Sequence, residues 1–152
     1  MSTVSVGLNT DVQLIANFNS QKFRLGKNKV KTATLTNKTG SELTVPAGRL
    51  LGKVLTAATG YVVGEVKPHA AAGANGTNIP VGFILNAVTL ENDASATVSY
   101  VSCGDVDASM IVLNGSETLA TICTGYEAIG EMLQNKGLFA VSVTENTFID
   151  NQ

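Results

Sequence analysis

Tryptophan is absent from this 152-residue chain, and aromatic residues make up only 5% of it. Packing must therefore come from Val, Ala, Leu, Ile and Thr, a mix that favours strands. Charge is scarce as well, at 14% against roughly 25% in an ordinary soluble domain. A surface short of charge and rich in Asn, Thr, Ser and Gly suits a protein whose outside is covered by partners. The sequence holds one histidine and two cysteines, Cys103 and Cys123. That inventory supplies neither a zinc ligand set nor a disulfide framework. No apolar run is long enough to span a membrane. Residues 1–9 lack the basic and apolar regions of a signal peptide. The expectation is synthesis in the cytoplasm with reduced cysteines and no membrane association. The sequons at Asn37, Asn75 and Asn114 then read as turns.

The hydrophobic fraction, 44%, is enough for one real core, and the length fits one domain with a tail. Charge is unevenly spread. Residues 1–40 hold six bases against Asp11, a net +5, whereas the remainder carries a net −7. A basic leading segment on an acidic body can steer towards an oppositely charged surface. Residues 1–30 show no sustained period, and Phe23 and Leu25 stand among Lys22, Arg24, Lys27, Lys29 and Lys31. Residues 1–40 are read as a flexible basic arm able to dock by strand addition, and residues 41–152 as a compact β-rich domain.

Strand patterns begin inside that arm, where residues 30–35 (VKTATL) alternate. Residues 43–45 form a strand that must stop at Pro46, which has no ladder donor. Pro46, Ala47 and Gly48 make a turn, and residues 49–55 resume as a strand with Gly52 at a bulge or close approach. Thr59 and Gly60 turn again before a strand over residues 61–67. Residues 68–78 read as a loop without large side chains. Pro80 leads into the most apolar stretch, residues 81–90, with a bend at Asn86. Residues 96–102 alternate, Gly104 and Asp105 turn, and residues 106–113 form another strand. Leu119, Ile122, Tyr126, Ile129 and Leu133 repeat as a helical stripe. Thr124 with Glu127 forms a capping box, so the helix is placed at 125–136, ending at Gly137, with residues 117–123 ambiguous between helix and loop. The stripe reads as body or oligomer core. Residues 138–143 close the sheet.

The search for chemistry finds little. His69 has no local neighbour to orient it and reads as a surface histidine. Asp105 and Asp107 offer too few oxygens for calcium and read as a turn and a strand start. Cys123 reads as a small buried residue without a histidine partner. Gly60, Gly64 and Lys67 miss the spacing of a phosphate loop. No catalytic residue, metal site or cofactor site is expected.

Four stretches carry a resemblance: residues 43–54 (LTVPAGRLLGKV), 59–63 (TGYVV), 75–85 (NGTNIPVGFIL) and 98–113 (VSYVSCGDVDASMIVL). Their order and spacing resemble the lambda-type bacteriophage head decoration family over roughly residues 40–143, and the helix with a final strand resembles that family's C-terminal end. The resemblance implies a mostly β, β-clip-like small barrel or sandwich with one C-terminal amphipathic helix and an extended N-terminal arm. It implies a homotrimer on the capsid exterior, bound to the major capsid protein at local threefold positions after shell expansion. It implies stabilisation of the virion, with no direct contact to nucleic acid. In that family the arm becomes ordered on the capsid and adds β structure to neighbouring coat subunits. On this reading the contact residues are Lys22, Phe23, Arg24, Leu25, Lys27, Lys29, Lys31, Pro46, Gly48 and Arg49, with Arg49 facing an acidic coat surface. Two alternatives stay open. One is another virion component, such as a head-fibre base or minor coat protein. The other is a cellular β-barrel module whose loop 68–78 takes a small ligand.

Overall fold

The computed structural model describes residues 23–143. It is mostly β, with one short helix. The strands are β1 (Arg24–Thr36), β2 (Leu43–Val45), β3 (Leu50–Lys53), β4 (Val66–Pro68), β5 (Pro80–Ile84), β6 (Val88–Leu90), β7 (Ser95–Asp107) and β8 (Leu138–Val141), and the helix α1 is Ile129–Asn135.

The longest pairing joins β1 to β7, antiparallel from Arg24↔Val106 to Thr36↔Ser95. The expected arm thus contributes a 13-residue strand to the body. Phe23, just ahead of it, is 4% exposed and meets Phe83 edge-on at 5.8 Å between ring centroids. The compact unit therefore includes Phe23 and β1, which the expected boundary at residue 41 had left outside it. The rest of the expected arm, residues 1–22, lies outside the described residues. Exposure of β1 explains the difference. Lys29, Val30, Lys31 and Thr32 are exposed in succession, so Lys29 and Lys31 fill strand-paired positions without entering the core.

The pairings close a ring. β1 joins β4 through Leu35↔Val66, β4 joins β3, β3 joins β5, and β5 joins β7, which returns to β1. β8 extends β7 in parallel along the edge that β5 uses further back. A separate ribbon pairs β2 with β6. Alternation then sorts the core into two clusters. Leu35, Leu51, Ile84, Val98 and Tyr100 point inward and meet Val45 and Leu90 from the ribbon. Leu50, Phe83, Val101 and Val106 point to the other face, where Ile129, Met132, Leu133 and Leu138 cover them.

Residues 81–90 divide at the expected bend near Asn86, so β5 and β6 serve different sheets. Gly52 sits at a register shift between β3 and β5, and a Cβ there would run into the Thr77 carbonyl. The bulge's extra residue is Val81 on β5, and Gly52 facing it is the close approach. Elsewhere the expectations change. The strand expected over 61–67 shrinks to β4, because Gly64 turns the chain at φ 95°. The turn expected at Gly104 lies inside β7, opposite the irregularity where β1 carries the extra residues 26–28, and a Cβ there would meet the Lys27 carbonyl.

The helix is shorter than expected. Gly125 takes φ 79° and ends any helix there, and Cys123 and Glu127 pair across the resulting turn, with the Cys123 amide donating to the Glu127 carbonyl at 3.0 Å. Ile122 is 71% exposed and Tyr126 50% exposed, so the expected stripe is not one helical face. Only Ile129, Met132 and Leu133 bury a face of α1. The far end behaves as expected: Gly137 adopts φ 76° and its amide bonds the Gln134 carbonyl at 2.9 Å.

Candidate functional site

The Pro46 turn is clamped on three sides. Arg49 N–H donates to the Pro46 carbonyl at 3.2 Å, Gly48 N–H to Ile84 at 2.8 Å, and Val112 N–H to Gly48 at 2.9 Å. Gly48 has φ 83°, and a Cβ there would strike the Met110 carbonyl. Pro46 is exposed and Gly48 is buried. Gly48 thus shapes the turn and offers no side for contact.

Arg49 is turned inward. Its Nη2 donates to the His69 carbonyl at 2.9 Å and to Asn114 Oδ1 at 3.4 Å. Burial lowers its pKa, and the nearby Glu117 carboxylate opposes that shift. The expected outward contact is replaced by a structural tie between β3 and the loop that follows β4.

That loop, residues 69–79, is far more buried than its small residues imply. His69 is 0% exposed rather than at the surface. The loop satisfies its own backbone in the way a buried segment must: His69 N–H bonds the Leu50 carbonyl and Gly73 N–H the Ala70 carbonyl, both at 2.9 Å. Ala71 N–H donates to Glu117 Oε1 at 2.8 Å, and Asn78 Nδ2 to the Thr124 carbonyl at 2.9 Å.

The structure also brings together residues that the sequence leaves apart. Cys123 Sγ lies 3.6 Å from His69 Nε2, and His69 Nδ1 lies 4.0 Å from Glu117 Oε2. A cysteine, a histidine and a carboxylate in line resemble a nucleophilic constellation. Its chemistry runs the other way. His69 Nε2 lies 3.1 Å from the Asn78 carbonyl, an acceptor, so Nε2 carries the proton and has no lone pair for the thiol. Burial pushes the Cys123 thiol up, and Glu117 adds to that shift. Desolvation by burial also lowers the His69 pKa, outweighing the Asn78 hydrogen bond and the Glu117 charge, which raise it. Both groups are neutral and out of solvent, which is a packing arrangement. Nothing in the local sequence around His69 or Cys123 marked this contact, because the two lie 54 positions apart.

The remaining expected contact residues lie along β1. Lys22 falls outside the described residues. Phe23 is buried, Arg24 and Leu25 are half-buried, and Lys27, Lys29 and Lys31 are exposed. Lys29 and Lys31 meet Lys53 and Lys136 around a depression of about 460 Å³, walled by Tyr100, Ser102 and Cys103. No local pattern pointed to Lys53 or Lys136 there, since only the closed strand ring brings them to β1.

A second hollow, of about 270 Å³, lies between Tyr61, Lys38, Lys67 and the 69–79 loop. Lys67 is already engaged in it. Its Nζ donates to the Thr36 carbonyl at 2.6 Å and stands 5.6 Å from the centre of the Tyr61 ring. Burial lowers its pKa, with Glu65 opposing and Lys38 adding to the shift. Among the described residues no cluster of three or more metal-ligating side chains occurs. Compared with known proteins, the chain matches no family model and no curated protein.

Proposed function

We propose that the protein is a head decoration protein of a tailed phage, which seats on the outside of the expanded capsid and holds it against internal DNA pressure. The observation that carries the reading is where the resembling stretches fall. Residues 43–54 form β2, the clamped turn and β3, residues 75–85 contain β5, and residues 98–113 contain most of β7. Of these, β3, β5 and β7 are direct neighbours, with Leu50 paired to Phe83 and Phe83 to Val101, and β2 belongs to the separate ribbon. Three of the four resembling stretches therefore meet in one physical unit, the β3–β5–β7 ladder, while residues 59–63 fall in the turn ahead of β4. The chemistry of the body agrees with a scaffold role, because its histidine, its buried cysteine and Arg49 are all spent on internal contacts.

In this reading residues 1–22 make the main grip on the coat, and β1 follows them as part of the paired body. The protein acts as a homotrimer, made in the host cytoplasm and resident on the virion surface. Exposed apolar side chains at Val62, Val63, Ile122 and Phe139 supply material for contacts between subunits or with the coat. The partner is the major capsid protein. Incubating the purified protein with expanded and unexpanded shells of the cognate phage tests the reading. Saturable binding to expanded shells alone is expected, and absence of binding to either would sink it.

A further inference from the structure

The ring of strands has two ends. The β2–β6 ribbon covers one, near Leu35. Earlier along β1, Lys31 lies opposite Tyr100 and Lys29 opposite Cys103. Lys53 follows the inward-facing Leu51 by two residues on β3, so alternation puts it on the same face. Lys136 arrives from the end of α1. All four lysines are exposed, and among the described residues no carboxylate lines the depression they surround. Among the described residues the only lysine–carboxylate ion pair is Lys38–Asp93. Residues 23–143 contain nine bases and nine acids, so four clustered positive charges are a local feature of a neutral body.

Lysines on an exposed strand edge commonly serve to block pairing with other strands, and Lys27, Lys29 and Lys31 fit that role. It does not account for the other two. Lys53 stands on β3, which is paired on both edges, and Lys136 follows a helix. We propose that this lysine-ringed mouth docks an extended, carboxylate-rich segment of a partner protein. Unpaired like charges at close range repel one another, and carboxylates entering between them relieve that repulsion. A nucleic acid fits less well. Tyr100 is 7% exposed and offers no stacking face, and no arginine lines the mouth to grip phosphate with a fork of donors. The lysine geometry alone carries the docking role; under the function proposed above, the acidic segment belongs to a coat subunit.

The test uses the full-length protein and a short fluorescent oligoglutamate peptide, with binding read by anisotropy. Cys103 supplies a second readout, because it is half-buried in the wall of the mouth while Cys123 is buried. Peptide binding at low salt is expected to slow alkylation of Cys103. It should vanish near 1 M salt, where the screening length falls to about 3 Å. Reversing two charges in Lys53→Glu with Lys136→Glu should weaken binding about tenfold or more. Both sites are exposed, so the thermal melt should not move; if it does, the Lys53→Gln with Lys136→Gln pair replaces the reversal. No binding at low salt, or equal affinity in the variants, overturns the proposal. Tighter binding of a single-stranded oligonucleotide overturns it in favour of nucleic acid. Peptide binding only after removal of residues 144–152 overturns it in favour of the chain's own acidic tail. Shell binding separates the two ideas: peptide capture without shell binding leaves the mouth standing and removes decoration, whereas shell binding without peptide capture does the reverse.

Discussion

Single residues in this protein matter through what their burial forbids. His69 is the sharpest case. The groups facing it are Glu117 at Nδ1, Cys123 and the Asn78 carbonyl at Nε2, and Arg49 through the His69 backbone. Burial is the largest influence and lowers its pKa in the fold. In the unfolded chain the imidazole titrates near about 6.5. Below that pH the unfolded state binds a proton that the folded state refuses, so stability is lost as pH falls towards the folded pKa. Urea midpoints should be flat above about pH 7 and decline below about pH 6.5. In His69→Gln the decline over that window should become shallower, whatever the midpoint itself does. An unchanged slope would mean that other groups carry the pH dependence. Gly52 makes a second residue-scale case. Gly52→Ala drives a methyl into the Thr77 backbone, and overpacking of this kind costs about 1–3 kcal/mol. Chemical denaturation should show that loss. Gly64→Ala, whose added methyl meets nothing within 4 Å, should show only the smaller cost of its positive φ.

At the scale of elements the decisive strand is β1. Deleting residues 1–30 would remove Phe23 from the core and four of the ten ladder pairs to β7. Loss of a buried Phe alone costs about 3–5 kcal/mol, so that deletion should unfold the body, while deletion of 1–21, which keeps Phe23 and the whole ladder, should leave it folded. Circular dichroism melts of the two truncations check this, and only the shorter deletion can then report on shell binding. The buried Asn37 makes a comparable joint between β1 and the ribbon. Its Nδ2 donates to Ser41 at 2.6 Å and Leu90 at 2.9 Å, and its Oδ1 accepts from Thr39 N–H at 2.9 Å. Asn37→Ala strands these partners and should cost about 1–3 kcal/mol in a urea titration.

These elements also show what the chain's pattern could reveal. The Pro46 turn, the Gly52 close approach, the bend near Asn86 and the Gly137 helix stop were readable because each rests on a local backbone constraint. β1 was half legible: VKTATL alternates, but Lys27 and Lys29 mask the strand ahead of it. The helical stripe misled because spacing alone cannot report that Gly125 breaks the backbone between Ile122 and Tyr126. The lysine mouth and the His69–Cys123 contact were not legible at all. Each joins residues that meet only after the ring has closed.

At the scale of the whole molecule, the proposed role makes a prediction that local chemistry does not. A protein that binds only the expanded lattice stabilises that lattice by mass action, and the gain per site is about 2.7 kcal/mol at a free concentration of 100 Kd. Three modest contacts joined in a trimer act as one durable attachment. Expanded shells filled with DNA should therefore release it at a higher temperature as protein is added, with the shift levelling off when the sites fill. The 1–21 deletion should need much higher concentrations for the same shift. The Lys53→Glu and Lys136→Glu pair should behave likewise if the acidic segment lies on the coat. Sedimentation of the free protein reads the oligomer directly, and a monomer at working concentration would require the joining of contacts to occur on the shell itself. Release temperatures that ignore added protein, despite full occupancy, would leave a surface component that does not brace the capsid. That outcome would favour a fibre base over a cement, because a fibre base needs attachment to one subunit and no bridge between neighbours.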